Sequence, residues 1–289
     1  MMAYPLSDAV RVAAVLLAAV PLIQSVYRSR TDVVVIDVAV MDGKNPVTNL
    51  TKDDFEVRDN GVLQTVLDFD RGKLPLDVTL TIDISGSMTA AKRRAVERAV
   101  AQVSNSLGPD DRAGVVTFGK GVAESAPLRH PPVTVDLRVQ GIGTSVLDAI
   151  LLALVTPPTV DRRQLNLFMT DGDDTTSMFD PKTVLDTARH TNGQLSFVVL
   201  RGGGVDVDGA VRDVFGTIAR ATGGEVIQID QHEALTEAFM TAIENFRMSY
   251  LLRYTPTGVP SLGWHDVSVR VKGRNYTIRA RRGYSSTAR

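Results

Sequence analysis

Apolar runs alternate with helical patterns through the middle of the chain, and this alternation restricts the fold more than any other feature of the sequence. Strand-like runs cover 77–84, 113–118, 165–169, 195–200 and 225–229. Helical periodicity covers 89–107, 145–155, 181–190, 209–221 and 232–247. Such alternation predicts a mostly parallel sheet with right-handed crossovers and helices on both faces. We therefore predict a doubly wound α/β domain over 76–246.

The segments on either side of this domain have a different pattern. Residues 31–72 contain β-branched runs and turn signals such as Asp59-Asn60-Gly61, and 247–285 returns to strand-like sequence. The two ends of a domain usually lie close together. We therefore expect 31–72 and 247–285 to pair into one small, discontinuous β-sandwich domain.

The N-terminus carries an uninterrupted apolar run over 12–23 between Arg11 and a polar stretch that contains Arg28 and Arg30. As a helix it would be about 18 Å long, which is short of a hydrocarbon core of about 30 Å. We interpret 1–30 as a signal peptide or an N-terminal membrane anchor, and predict a periplasmic, cell-surface or secreted protein. A buried N-terminal helix is the alternative.

Composition excludes several classes of function. The 32 Lys and Arg residues balance 33 Asp and Glu residues, so the net charge of -1 provides no field for a nucleic-acid partner. The chain has no cysteine, which excludes thiol catalysis and thiolate zinc sites. Its four histidines are scattered, and no HExxH motif is present.

Oxygen-rich turns follow two of the predicted strands and precede one helix. They are Asp83-Ile84-Ser85-Gly86-Ser87, Gly141-Ile142-Gly143-Thr144-Ser145 and Thr170-Asp171-Gly172-Asp173-Asp174. Ligands bind open α/β sheets at the carboxyl ends of the strands, where we expect these turns to meet. Hydroxyl and carboxylate oxygens suit Mg2+. The alternative is that Ser87 or Thr89 only caps the following helix and that Thr144 caps the helix beginning near Ser145, although capping and metal binding can coexist at Thr144.

The residues Asp83, Ser85, Ser87, Thr144 and Asp171 resemble the metal-ion-dependent adhesion site of von Willebrand factor type A domains, over about 76–246. The resemblance implies a Rossmann-like fold whose Mg2+ binds an Asp or Glu carboxylate of a partner protein. It implies that Ser85, Ser87 and Thr144 contact the metal, whereas the two aspartates act directly or through water. Mn2+ and Ca2+ are alternative ions.

The flanks extend this resemblance to nearly the whole chain. LTKDDFEVRDNG at 50–61, YLLRYTP at 250–256 and RARRGY at 279–284 resemble a bacterial family of secreted proteins related to these domains. In some relatives the helix equivalent to 232–246 slides when ligand binds.

The leading hypothesis is an exported or membrane-anchored protein-binding module that captures an acidic residue through a metal and has no catalytic residues. One alternative is a metal-dependent hydrolase, although the chain lacks a G-x-S-x-G motif and, for a nucleotide enzyme, the motif G-x-x-x-x-G-K-[ST]. The other is an intracellular subunit of a chelatase or motor complex, which the apolar N-terminus disfavours.

Overall fold

Strands and helices alternate through the part of the chain that the computed structural model describes: residues 33–286 without 136, 138–140, 172–173, 192 and 201–208. The strands are β1 (Val34–Asp42), β2 (Asn45–Pro46), β3 (Phe55–Asp59), β4 (Val62–Gln64), β5 (Val66–Arg71), β6 (Leu76–Asp83), β7 (Arg112–Phe118), β8 (Val122–Arg129), β9 (Arg163–Thr170), β10 (Gln194–Leu200), β11 (Val226–Ile229), β12 (Tyr250–Tyr254), β13 (Gly263–Val271), β14 (Thr277–Ala280) and β15 (Gly283–Ser286). The helices are α1 (Ala90–Ser106), α2 (Val146–Val155), α3 (Pro181–Arg189), α4 (Gly209–Thr222) and α5 (Leu235–Arg247).

The central sheet has the order β11-β10-β9-β6-β7-β8. Its first five strands are parallel, whereas β8 pairs antiparallel with β7 at one edge. The sequence did not indicate β8, because the strand contains Pro127 and only Ala126 is buried in it. Proline and half-exposed side chains are typical of edge strands, whose alternation is weak.

Each face of the central sheet packs against its own group of helices. One apolar core joins the sheet to α1 and α5, with Val96 and Phe239 completely buried. A second core joins the other face to α2, α3 and α4, with Ile150 and Phe215 completely buried. Helices on both faces are the doubly wound arrangement that the sequence predicted, so the predicted fold is confirmed.

Strands from both flanks combine in two further sheets. One has the order β14-β1-β12-β5, with β2 added to β1, and the other has the order β15-β13-β3-β4. Each sheet thus contains strands from before and after the central domain. Residues of both, including Ile36, Val57, Leu252 and Val269, share one apolar core. The hairpin between β3 and β4 has positive φ at Asn60 and Gly61, as an Asn-Gly turn favours.

The predicted export segment, 1–30, lies outside the described residues. Among the helices of the described part, none is both long and apolar enough to cross a membrane.

Candidate metal centre

Asp83 is the last residue of β6, and its side chain is completely buried. Its Oδ1 accepts a hydrogen bond of 2.9 Å from the Ser85 backbone N–H. Its Oδ2 accepts one of 2.8 Å from Thr170 Oγ1, at the end of the neighbouring strand β9. Burial raises the pKa of the Asp83 carboxyl; hydrogen bonds from Ser85 act against this effect, and the charge of Asp171 adds to it. The buried charge is therefore only partly compensated.

Three other oxygen atoms form a short chain beside Asp83. Ser85 Oγ and Ser87 Oγ share a hydrogen bond of 3.0 Å, and Ser87 Oγ donates to Asp171 Oδ1 at 2.7 Å. Ser87 is exposed, whereas Ser85 is buried, so the chain runs from the interior to the surface. Adjacent oxygen ligands of an octahedral ion at about 2.1 Å lie about 3.0 Å apart. Hydrogen bonds set the spacing of these oxygens here, and the same spacing is compatible with the coordination shell of a small divalent cation.

Thr144 reaches the same edge of the sheet through its main chain. Its N–H donates to Thr175 Oγ1 at 2.9 Å, and its carbonyl accepts from the N–H groups of Thr175 and Thr176 at 2.9 and 3.2 Å. The preceding Gly143 has a φ of +127°, and a Cβ atom there would lie 2.6 Å from Thr176 Cγ2. Only glycine permits this approach. Direct side-chain contacts thus connect Ser85, Ser87 and Asp171, whereas main-chain contacts position Thr144.

We call Asp83, Ser85, Ser87, Thr144 and Asp171 the strand-end cluster. It combines two carboxylates with three hydroxyls, and the described residues contain no group of three or more His, Asp or Glu side chains placed to hold a metal.

Helix capping does not account for the hydroxyls of this cluster. The N-cap of α1 is Thr89, whose side chain accepts a hydrogen bond of 3.3 Å from the Lys92 N–H. The residue before α2 is Ser145, and its side chain makes no capping hydrogen bond. Ser87 and Thr144 therefore do not cap these helices, which was the alternative to metal binding.

Lys92 is the contact that sequence reasoning missed. Its ammonium group forms an ion pair with Asp171 Oδ2 and donates to the Ser87 carbonyl at 3.3 Å. The available signal was local: the first turn of α1 contains no acidic residue, although the positive end of the helix dipole favours one. A lysine in that turn is unfavourable unless it is solvated or paired with an anion from elsewhere in the fold.

Three exposed apolar side chains lie in the loops around Thr144: Ile142 (92% exposed), Met178 (85%) and Phe179 (42%). The backbone N–H groups of Met178 and Phe179 donate to the carboxylate of Asp148, in the first turn of α2. We call Ile142, Met178 and Phe179 the apolar rim. Exposed apolar groups beside a polar site are typical of surfaces that bind proteins.

The fold and the strand-end cluster define a class of protein. The family model of the von Willebrand factor type A domain matches residues 77–241, more than half of the chain. The chain belongs to this family, whose members typically mediate metal-dependent protein interactions.

The individual proteins that the chain resembles share only about a quarter of the aligned residues with it. The chain is 27% identical over 228 residues to inter-alpha-trypsin inhibitor heavy chain H4 of Bos taurus, a match covering 71% of this chain and 24% of the relative. The human protein of that name is 25% identical over 152 residues, covering 46% of this chain and 16% of the relative. The chain thus spans about a quarter or less of these relatives.

Among solved structures, proximal thread matrix protein 1 from the mussel byssus superposes with a TM-score of 0.50 at 15% identity. The superposition covers 60% of this chain and 48% of the mussel chain. At this identity the likeness concerns the fold alone.

Proposed function

We propose that this protein is an exported, divalent-metal-dependent binding module that captures an Asp or Glu side chain of a partner protein. The observation that carries the proposal is the oxygen chain of Ser85, Ser87 and Asp171, whose separations of 3.0 and 2.7 Å match the edges of an octahedral shell. Family membership supports it.

The five residues of the strand-end cluster would hold the ion, and Mg2+ is the ion we favour. When bound, the ion supplies a Lewis-acidic centre that attracts an external carboxylate. Ser85 and Ser87 offer neutral oxygens, and Asp83 and Asp171 contribute two negative charges. Because the hydroxyls are neutral and an aspartate acting through water neutralises the ion only partly, the ion would keep residual positive charge and an open coordination position for an acidic group from outside.

The apolar rim adds specificity to this charge recognition. Ile142 and Met178 are almost fully solvated in the free protein, so a partner that covers them gains from apolar burial. The site therefore fits a partner that presents an acidic side chain next to apolar ones. Binding of this kind requires no catalytic residue.

Metal binding is tested on the full chain by calorimetry and thermal unfolding with Mg2+, Mn2+ and Ca2+. We expect the free energy of unfolding to rise by about 2.7 kcal/mol at a hundredfold excess over Kd. Ser85→Ala should abolish this rise. Ser106→Ala, at the far end of α1 from the cluster, is the matched control and should retain it. No rise in the unaltered protein would contradict the metal site.

Carboxylate capture is tested with a displayed random-peptide library, selected with Mg2+ and with EDTA. We expect selection only with Mg2+, and enrichment of Asp or Glu beside apolar residues. Replacing the selected acid by its amide should abolish binding. Peptides that bind equally in EDTA, or that need no acid, would overturn the proposed mode of recognition.

Three further parts of the proposal can be tested: export of the protein, its domain boundaries and the movement of α5. Cell fractionation should place the protein outside the cytoplasm. Limited proteolysis should release 76–246 as one resistant fragment and keep 31–72 associated with 247–285. Movement of α5 predicts a change in hydrogen exchange across 232–250 when the selected peptide binds the metal-loaded protein, and unchanged exchange would contradict it.

A further inference from the structure

We propose that Lys92 is a built-in cation of the strand-end cluster: its ammonium group neutralises Asp171 in the metal-free protein and competes with the metal for that carboxylate. The inference rests on the proposed metal site and concerns how that site is regulated. It predicts that the lysine weakens metal binding and at the same time stabilises the metal-free fold.

The first support is the geometry of the ion pair. Lys92 Nζ contacts Asp171 Oδ2, while the other oxygen, Oδ1, accepts the hydrogen bond from Ser87 Oγ. The Asp171 side chain has no exposed surface, and that of Lys92 is 16% exposed. A buried pair of this kind is screened little by salt. Lys92 therefore supplies, at this carboxylate, the positive charge that a bound metal would supply.

The second support is that Lys92 stands at a position where the helix itself disfavours a cation. It is the third residue of α1, and Thr89 caps the helix by accepting from its backbone N–H. The dipole of α1 repels a positive charge there. Local sequence preference and tertiary contact thus disagree, which is expected where a residue is kept for a role in a site.

The third support is the contact of Lys92 with the serine turn. Its ammonium also donates to the Ser87 carbonyl at 3.3 Å. One cation therefore joins the turn after β6 to the turn after β9, the two turns that contribute the carboxylates. A metal that takes Asp171 as a ligand must displace this ammonium or accept its positive charge close by, and either effect weakens binding.

The experiment compares Lys92→Met with the unaltered full chain by calorimetric titration with Mg2+ and by thermal unfolding with and without Mg2+. Methionine keeps most of the length of the side chain and removes its charge. We expect Lys92→Met to unfold at a lower temperature without metal and to bind Mg2+ about tenfold more tightly. Lys92→Gln, which keeps a donor for Asp171, should show the same tightening and provides the measurement if Lys92→Met fails to fold.

Lys120→Met is the matched control for general electrostatics. Lys120 is an exposed lysine close to Gly141: a Cβ atom added to that glycine would lie 3.9 Å from the Lys120 Cβ. Lys120 therefore lies beside the same edge of the sheet. Its removal takes away one positive charge near the cluster without touching the ion pair. We expect its Mg2+ affinity to change by less than about threefold, and less still at high salt.

The outcomes separate the inference from the proposed function. If the unaltered protein binds Mg2+ and Lys92→Met binds it equally or more weakly, the inference is wrong and the metal site stands. If neither the unaltered protein nor the Lys92 variants bind any metal, the proposed function fails. Mg2+ binding by the Lys92 variants alone would support the inference and contradict the proposed function, because the lysine would then replace the metal in the natural protein.

Discussion

Two buried carboxylates, Asp59 in the flanking sheets and Asp83 at the end of a central strand, differ in the groups that surround their charge. Asp59 in the flanking sheets accepts from Tyr254 Oη at 2.9 Å and Tyr284 Oη at 2.8 Å, and its Oδ1 lies 2.7 Å from His265 Nδ1. We call these four residues the Asp59 cluster. Asp83 accepts from one backbone N–H and one hydroxyl, and faces a second carboxylate.

The two carboxylates differ in the number of hydrogen-bonding groups that contact them and in their access to solvent. The Asp59 cluster joins strands β3, β12, β13 and β15, and Asp59, Tyr254 and His265 are at most 1% exposed. Oδ2 of Asp59 accepts from two tyrosine hydroxyls and Oδ1 faces the His265 ring, so the cluster fastens the two flanking sheets together. The strand-end cluster has more acceptors than donors and opens to the surface at Ser87. Lys92 pairs with Asp171 there, but the hydrogen bonds that reach the buried carboxylate of Asp83 come from neutral donors, so a cation near Asp83 would be favourable.

The largest effect should come from removing charge at the Asp59 cluster. Asp59→Asn removes the buried charge and one of the two acceptor oxygens, so either the two tyrosine hydroxyls or His265 Nδ1 faces an amide NH2 group instead, and the free energy of unfolding should fall by about 3 kcal/mol. Urea denaturation measures the change. Asp68→Asn is the control, because Asp68 is a 61% exposed carboxylate paired with Arg253, and should cost less than about 1 kcal/mol. Equal losses would remove the distinction between the clusters.

The same substitution at Asp83 in the strand-end cluster should act differently. Asp83→Asn removes a buried charge, keeps the acceptor for the Ser85 N–H, and lets the Thr170 hydroxyl turn to accept. We expect the metal-free free energy of unfolding to rise by up to about 1 kcal/mol. Stabilisation by Mg2+, about 2.7 kcal/mol at a hundredfold excess over Kd, should disappear. Strong destabilisation without metal would show that Asp83 is structural in the way of Asp59.

Alkaline pH should reduce the stability that the Asp59 cluster provides, because burial and the hydrogen bond to Asp59 raise the pKa of Tyr254. Below about pH 10, the ordinary pKa of tyrosine, this stabilisation is complete. Above that pH the unfolded chain loses the phenol proton while the folded chain keeps it, so stability falls as pH rises.

Tyr254→Phe removes this contribution. We expect a loss of about 1–2 kcal/mol at neutral pH. Above about pH 10, the free energy of unfolding should fall less steeply with pH in Tyr254→Phe than in the unaltered protein, by up to about 1.4 kcal/mol per pH unit. Urea denaturation across this range measures both quantities. Tyr276→Phe, a half-buried tyrosine outside the Asp59 cluster, should leave the slope unchanged.

The smallest effect on stability is expected at the apolar rim. Met178→Ser changes a side chain that is 85% exposed, so the free energy of unfolding should change by less than about 0.5 kcal/mol. Binding of the selected acidic peptide should nevertheless weaken about tenfold, because the partner loses an apolar contact. Fluorescence titration measures the affinity. Val160→Ser, at an 82% exposed valine outside the rim, should leave peptide binding unchanged.

Much of the fold and of the candidate site follows from local sequence. Apolar periodicity and turn residues report on a few neighbouring positions, and they indicated strands β6, β7, β9, β10 and β11 with the five helices. The carboxyl-end rule then placed the turns that hold Asp83, Thr144 and Asp171 at one edge of the sheet. The edge strand β8 was missed because its single buried residue leaves no period to detect.

The sequence by itself determined the alternation of elements, the β character of both flanks and the identity of the oxygen donors, because these depend on residues near one another in the chain. Tertiary structure decided which donors meet. Ser87 contacts Asp171 across 84 residues, Lys92 reaches Asp171 across 79, and Tyr254 reaches Asp59 across 195. Strand order and register set such contacts, and no local pattern encodes them. For this reason the oxygen-bearing side chains of the turns were visible in the sequence, whereas the lysine beside them and the Asp59 cluster were not.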